Sequence, residues 1–214
     1  EKEQIDANNE DVGRTAVLDE TLVSLLKDLR RREAKRHNVP PYVIFQDPSL
    51  EDMATQYPIS MDDMVHISGV SRGKAIRYGK AFVEMIKKYV EENEIDRPTD
   101  FVVKQVANKS KIKVNIIQSI DRKVPLEDIA EANDITMDEI LEELYAIVLS
   151  GTKVNIDYYL DETMDEAIRD DIYDYFMSVD TDDAKVAYKA LKDDDITMDE
   201  ILMVRIKFLS ELAN

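Results

Sequence analysis

Two adjacent prolines constrain this chain more than any other feature, because Pro40 and Pro41 sit in the run Asn38-Val-Pro-Pro-Tyr-Val-Ile-Phe-Gln-Asp47 between two helical patterns. Each proline fixes its own φ and pushes the preceding residue out of the α region. An extended segment is therefore expected here, with Tyr42 near a bend and its polar tip on offer. Upstream, Leu18, Leu22, Leu25, Leu26 and Leu29 recur at helical spacing. They predict an amphipathic helix whose basic face ends in Arg30-Arg-Arg-Glu-Ala-Lys-Arg36 and which stops at Asn38. Downstream, short helices are expected over residues 49–57 and 60–66. Their starts are marked by Ser49 with Asp52 and by Ser60 with Asp63, relatives of the capping box. The run Ile67-Ser-Gly-Val-Ser-Arg-Gly-Lys-Ala-Ile-Arg-Tyr-Gly79 then reads as a hairpin whose glycines permit a close backbone approach, leading into a helix over residues 72–90. Charge density and Pro98 break the pattern after that.

The second half reads as helix-turn-helix. Ile112, Ile116, Ile117 and Ile120 line one helix, Leu126, Ile129 and Ala130 a second, and a turn at Asn133-Asp-Ile leads to a third bearing Ile140, Leu141, Leu144, Ile147 and Val148. Gly151 ends the third helix, and Lys153-Val-Asn-Ile-Asp-Tyr-Tyr-Leu160 alternates apolar and polar residues as a short strand would. Helices followed by a strand suggest a winged-helix domain, with extra helices from about Asp165 onward. The octamer Asp-Ile-Thr-Met-Asp-Glu-Ile-Leu occurs twice, ending at Leu141 and Leu202, each time with a capping box, Thr136 with Glu139 and Thr197 with Glu200. Two copies of a helix start do not make a repeat architecture.

The domain plan expected is a lead-in or linker over residues 1–15, a helical bundle over 16–92, a linker over 93–100 and a winged-helix-like domain over 101–214. The fold class is mainly all-α with one short β element. Length suits two domains, each burying its own core. The chain has no initiator Met, so a piece of a longer protein is expected. No cysteine is present, which removes disulfides and thiolate chemistry and points to a reducing compartment. Neither a signal peptide nor an apolar run long enough to span a bilayer is visible, so no membrane partner is expected.

Charge is distributed unevenly. Residues 125–214 carry 7 Lys and Arg against 25 Asp and Glu, a balance of −18 that equals the net charge of the whole chain. Such a surface repels phosphate and favours basic partners or solubility. The third helix of the helix-turn-helix presents Asp138, Glu139, Glu142 and Glu143, whereas reading the major groove calls for Arg, Lys, Asn or Gln. A role in packing or protein contact is expected for it, with these four carboxylates meeting a basic protein surface.

Catalysis has no visible apparatus. No P-loop pattern is present, the two histidines His37 and His66 are isolated with no cysteine to join them, and the stretch Asp193-Asp-Asp195 lacks the glycine and terminal glutamate of an EF-hand loop. Neither a catalytic site nor a metal site nor a cofactor is expected in this chain.

The Val-Pro-Pro-Tyr run and the glycine hairpin together resemble the HRDC domain, the small helical module at the C-terminal end of RecQ-type DNA helicases and of RNase D, over residues 17–89. The hairpin Gly69-Val-Ser-Arg-Gly-Lys-Ala also resembles the helix-hairpin-helix pattern, in which backbone N–H groups meet phosphate oxygens, with Ser71 where that pattern has its second glycine. Residues 111–160 resemble the helix-turn-helix domain that follows HRDC in some bacterial RecQ helicases. The resemblance implies weak contact with single-stranded DNA or DNA junctions through Arg31, Lys35, Arg36, Tyr42, Arg72, Lys74 and Arg77. For Tyr42, stacking on an unpaired base stands beside a buried ring with a satisfied hydroxyl. For the Arg30–Arg36 cluster, strand binding stands beside a solvated helix end whose cations complement the macrodipole. By the same resemblance the parent is a 3′-to-5′ helicase of recombination and repair, bacterial, cytoplasmic and nucleoid-associated, with ATP and Mg²⁺ in a motor outside this chain. The other readings are an RNase D-like RNA-processing exonuclease and a protein-interaction adaptor. The helix-turn-helix favours RecQ.

Overall fold

The structure is a computed structural model that describes residues 18–97, 111–191 and 196–214. The expectations for residues 1–15, for residues 98–110 and for Asp193-Asp-Asp195 lie outside the described residues.

The first unit comprises α1 (Glu20–His37), α2 (Pro41–Ile44), α3 (Asp47–Gln56), α4 (Met61–Met64) and α5 (Arg72–Glu92). Asp19 caps α1 by accepting from the Leu22 amide, and Asn38 ends it in the left-handed region, as the leucine spacing and the Asn38 stop anticipate. The expected extended segment is interrupted: the backbone is extended at Pro40 and again at Phe45 and Gln46, with a helical turn between. Pro41 is the first residue of a one-turn helix, a position where its missing N–H costs nothing and its fixed φ suits the turn. Helix α3 begins two residues earlier than expected, with a proline in its first turn. Ser49 and Asp52 do not cap it. The Ser49 hydroxyl donates to the Ser68 carbonyl and the Asp52 carboxylate accepts from the Ser68 amide, so this pair fastens α3 to the glycine hairpin. The Ser60–Asp63 capping box forms as read.

Leu22, Leu26, Phe45, Leu50, Met53, Phe82 and Ile86 pack into the first core. Phe45 meets Phe82 edge-on at 4.9 Å between ring centroids, and burying such a ring contributes about 1.5–3 kcal/mol. Residues 93–97, expected as linker, remain with this unit. Arg97 donates to the Tyr57 carbonyl and to Asp63, each at 2.9 Å.

The second unit holds α6 (Lys111–Asp121), α7 (Leu126–Ala132), α8 (Met137–Leu149), α9 (Asp157–Thr163), α10 (Glu166–Ser178), α11 (Ala184–Leu191) and α12 (Met198–Ala213). Helices α6 to α8 form the helix-turn-helix, and α8 packs on α12. Both copies of the octamer start a helix, α8 and α12, with the capping boxes of Thr136 and Thr197 in place.

The expected strand at residues 153–160 is absent. Val154 and Ile156 do alternate inward, but the N–H of Val154 donates to the Ser210 hydroxyl and its carbonyl accepts from the same hydroxyl. A buried side chain thus takes both hydrogen bonds a partner strand would supply, and α9 follows at once. Among the described residues the fold is all-α, with no wing.

The two cores are not separate. Tyr42 and Val43 of α2 belong to the second core, where Tyr42 approaches Phe208.

Candidate nucleic-acid interface

Of the seven side chains expected to meet nucleic acid, six fall into two groups and Arg72 stands apart. Arg31, Lys35 and Arg36 lie on the exposed end of α1, in its last two turns. Arg31 pairs with Asp28 at 2.8 Å and Arg36 with Glu33 at 3.4 Å, both exposed pairs that water and salt weaken. Arg31 and Lys35 also stand on the rim of a cleft of about 390 Å³, lined by Val39, Pro40 and Pro41 on one side and by Met177, Val179 and Asp180 on the other. Arg30, from the same basic run, has a structural task. Its guanidinium donates to the Phe45 carbonyl and pairs with Asp47, each at 2.7 Å. Burial acts to raise the Asp47 carboxyl, but hydrogen bonds from Lys27 and Arg30 outweigh it and hold the group below its usual range.

Tyr42, Lys74 and Arg77 form the second group, and the structure turns them toward the second unit. Tyr42 is 5% exposed, and its hydroxyl donates to the Phe176 carbonyl at 2.6 Å. A ring so placed has no face for a base, which corrects the stacking expectation in favour of the buried, satisfied ring. Burial, reinforced by the Asp182 charge, pushes its hydroxyl well above the ordinary tyrosine value. Lys74 is 4% exposed, so the phosphate contact expected of it does not exist in this arrangement. Burial lowers its ammonium to about 8, with Asp182 partly opposing the shift. Arg77 is exposed but committed, donating to the Leu212 carbonyl at 3.2 Å, and Tyr78 reaches the same oxygen at 3.4 Å. Arg72, at the first turn of α5, remains on the surface.

These contacts share one logic. Phe176 and Leu212 lie in the last turns of α10 and α12, where helix carbonyls have no partner within the helix. Side chains of the first unit supply the missing donors, and the Arg77 cation stands at the negative end of the α12 dipole.

A polar cluster beside them was not foreseen. Asp182 accepts from Gln46 at 3.2 Å and from the Tyr145 hydroxyl at 2.7 Å, while the Arg205 guanidinium lies 3.8 Å over the Tyr145 ring and donates to the Asp182 carbonyl. Its members are scattered from residue 46 to residue 205, so no sequence spacing announces it. His37 meets the ring of Tyr78 edge-on at the end of α1.

On α8, Asp138, Glu139 and Glu142 are exposed and Glu143 is half-buried, so the acidic face exists as read. Glu139 has a second duty: hydrogen bonds from the Thr136 backbone and hydroxyl hold its carboxyl below the usual range. Among the described residues no cluster of acidic or His side chains is arranged to hold a metal, and no helix is long and apolar enough to cross a membrane.

Comparison with known proteins matches residues 19–86 to the HRDC domain and residues 110–160 to the RecQ-1-like helix-turn-helix domain. The ATP-dependent DNA helicase RecQ of Haemophilus influenzae is 37% identical over 71 residues, 33% of this chain and 12% of that protein. RecQ of Bacillus subtilis is 34% identical over 68 residues, 32% of this chain and 12% of its own length. The mouse bifunctional 3′-5′ exonuclease/ATP-dependent helicase WRN is 28% identical over 104 residues, 49% of this chain and 7% of that protein. The chain therefore spans a small part of the curated relatives it matches. The leucine-lined α1, the hairpin into α5 and the three helices α6 to α8 are the elements the two family matches cover, so the chain carries an HRDC domain followed by a RecQ-1-like helix-turn-helix domain, a pairing that supports a RecQ-type C-terminal region.

Proposed function

We propose that this region serves a RecQ-like, ATP-dependent 3′-to-5′ DNA helicase of recombination and repair as its auxiliary nucleic-acid contact, with ATP and Mg²⁺ used by a motor outside this chain. The contact is weak and is made to single strands or junctions by the exposed end of α1. The observation that carries this reading is the convergence of Arg31 and Lys35 on the rim of the cleft, next to Arg36, on a domain that matches HRDC. The cations offer phosphate contacts that need no base sequence, and the Pro40–Pro41 wall offers apolar surface to a splayed strand. Arg72 extends the basic surface at the start of α5. The acidic face of Asp138, Glu142 and Glu143 takes no part, and a basic protein surface is its partner. The setting that accompanies this role is the bacterial cytoplasm, at the nucleoid.

The test is a titration of the chain with single-stranded, duplex and junction DNA across a salt series. Binding in the micromolar range or weaker is expected, with a salt dependence reflecting about two to four phosphate contacts. Replacing Arg31, Lys35 and Arg36 together by Ala should remove most of it. Unchanged binding by that triple variant overturns the assignment of the site.

A further inference from the structure

We propose that the acidic second unit is a built-in cover for part of the HRDC domain's nucleic-acid face, so that strand affinity is set by how often the joint between the two units opens. The inference rests on the reading that the HRDC domain binds single strands, and it names the regulation of that binding. Tyr42, Lys74 and Arg77, an aromatic ring and two cations on one side of the domain, are the groups a strand would use there. All three are taken up by the second unit: Tyr42 on the Phe176 carbonyl, Lys74 buried with Asp182 close enough to act on its charge, and Arg77 on the Leu212 carbonyl. The occupant of this surface is thus part of the chain itself, and its charge suits the task. Residues 125–214 carry the −18 balance, which keeps a polyanion from the same ground while the joint is shut.

The joint is also held by polar contacts that water can replace. Helix-end carbonyls left by Tyr42, Tyr78 and Arg77 would be solvated on opening, as would Gln46 and Asp182. Gly151 sets how closely the units approach. A methyl group on it would stand 2.0 Å from the Ser71 Cβ, and its φ of +87° is one that glycine tolerates best.

That contact gives the experiment, made on the full chain. Gly151→Ala drives a methyl into Ser71 and wedges the joint. Ser71→Gly combined with Gly151→Ala removes the obstructing side chain and lets it close, with little cost as a helix N-cap; alanine at φ +87° is strained in both Gly151→Ala variants, so comparing the two isolates the clash with Ser71. Asp182→Lys opens the joint independently, by removing the carboxylate that accepts from Gln46 across it and from Tyr145, and putting a cation in its place. Hydrogen exchange at residues 41–46 and 208–213 reports opening, and anisotropy of a labelled oligothymidine reports binding. The wedge and Asp182→Lys should each raise exchange in both segments and tighten binding by about tenfold, since apparent affinity scales with the open fraction. Ser71→Gly alone and the double variant should show the parent's exchange, and the double variant should bind like Ser71→Gly alone.

The proposal falls if the opened variants bind no more tightly than the parent. It falls equally if neither variant raises exchange, because the joint is then a permanent part of the core. The two readings part on the triple variant of Arg31, Lys35 and Arg36. If that variant loses binding while opening changes nothing, the helix-end site stands and the cover fails. If opening raises affinity while the triple variant binds like the parent, the cover stands and the helix-end site fails.

Discussion

Removing one oxygen from Tyr42 separates the two roles this residue could have. In Tyr42→Phe the ring still fills its place against Phe208, but the Phe176 carbonyl loses the donor now 2.6 Å away. That carbonyl is in the last turn of α10 and has no helical partner to fall back on. Leaving a buried acceptor unsatisfied costs about 1–3 kcal/mol. For a chain of this length that loss lowers the melting temperature by roughly 2–4 °C per kcal/mol, so a fall of about 2–12 °C is expected. Urea unfolding gives the same quantity independently, as a lower midpoint with an unchanged slope. A ring left exposed in the resting chain would behave in the opposite way, because an exposed hydroxyl contributes nothing to stability. A Tyr42→Phe variant that melts with the parent would refute the buried cap and, with it, the closure of the joint over Tyr42.

The buried ammonium of Lys74 makes stability depend on pH. Its folded value of about 8 lies below the ordinary 10.5, so between those values the unfolded chain binds a proton that the folded chain has released, and stability should rise with pH by up to roughly 3 kcal/mol. Urea midpoints from about pH 7 to pH 10 should show this rise, and Lys74→Met should abolish it; above about pH 10 the raised hydroxyls of Tyr42, Tyr145 and Tyr159 reverse the slope, because they ionise first in the unfolded chain. Reversing Asp138, Glu142 and Glu143 to Lys should create non-specific duplex affinity that falls steeply with salt, whereas a gel shift by the unmodified acidic face at physiological salt would show that charge counting misleads here. Glu139 is spared in that variant because it completes the capping box of α8.

Local chemistry was legible in the sequence and distant chemistry was not. The leucines of α1, the Asn38 stop, three capping boxes and the order of α6 to α8 each depend on residues a few positions apart, so spacing alone reveals them. The fate of Tyr42 depends on Phe176, 134 residues away, and no periodicity encodes that pairing. The false strand at Val154 and Ile156 has a similar origin. Inward alternation looks the same whether a neighbouring strand or the Ser210 hydroxyl satisfies the backbone, and only the tertiary structure decides. Lys74 belongs to the same class: the hairpin motif fixes where its backbone lies, but the second unit decides whether its ammonium meets water.

The capping of α10 and α12 by side chains of the first unit also has a consequence in time. The donors Tyr42, Arg77 and Tyr78 precede their acceptors by 134 or 135 residues, so these are among the most non-local links in the chain. Such links close late in folding, because the entropy of the intervening loop must be overcome first. At ordinary rates of synthesis, roughly ten seconds separate the emergence of Tyr42 from that of Phe176. Throughout that interval the HRDC domain has its own core but an uncovered apolar α2, which makes the nascent chain more adhesive than the finished one.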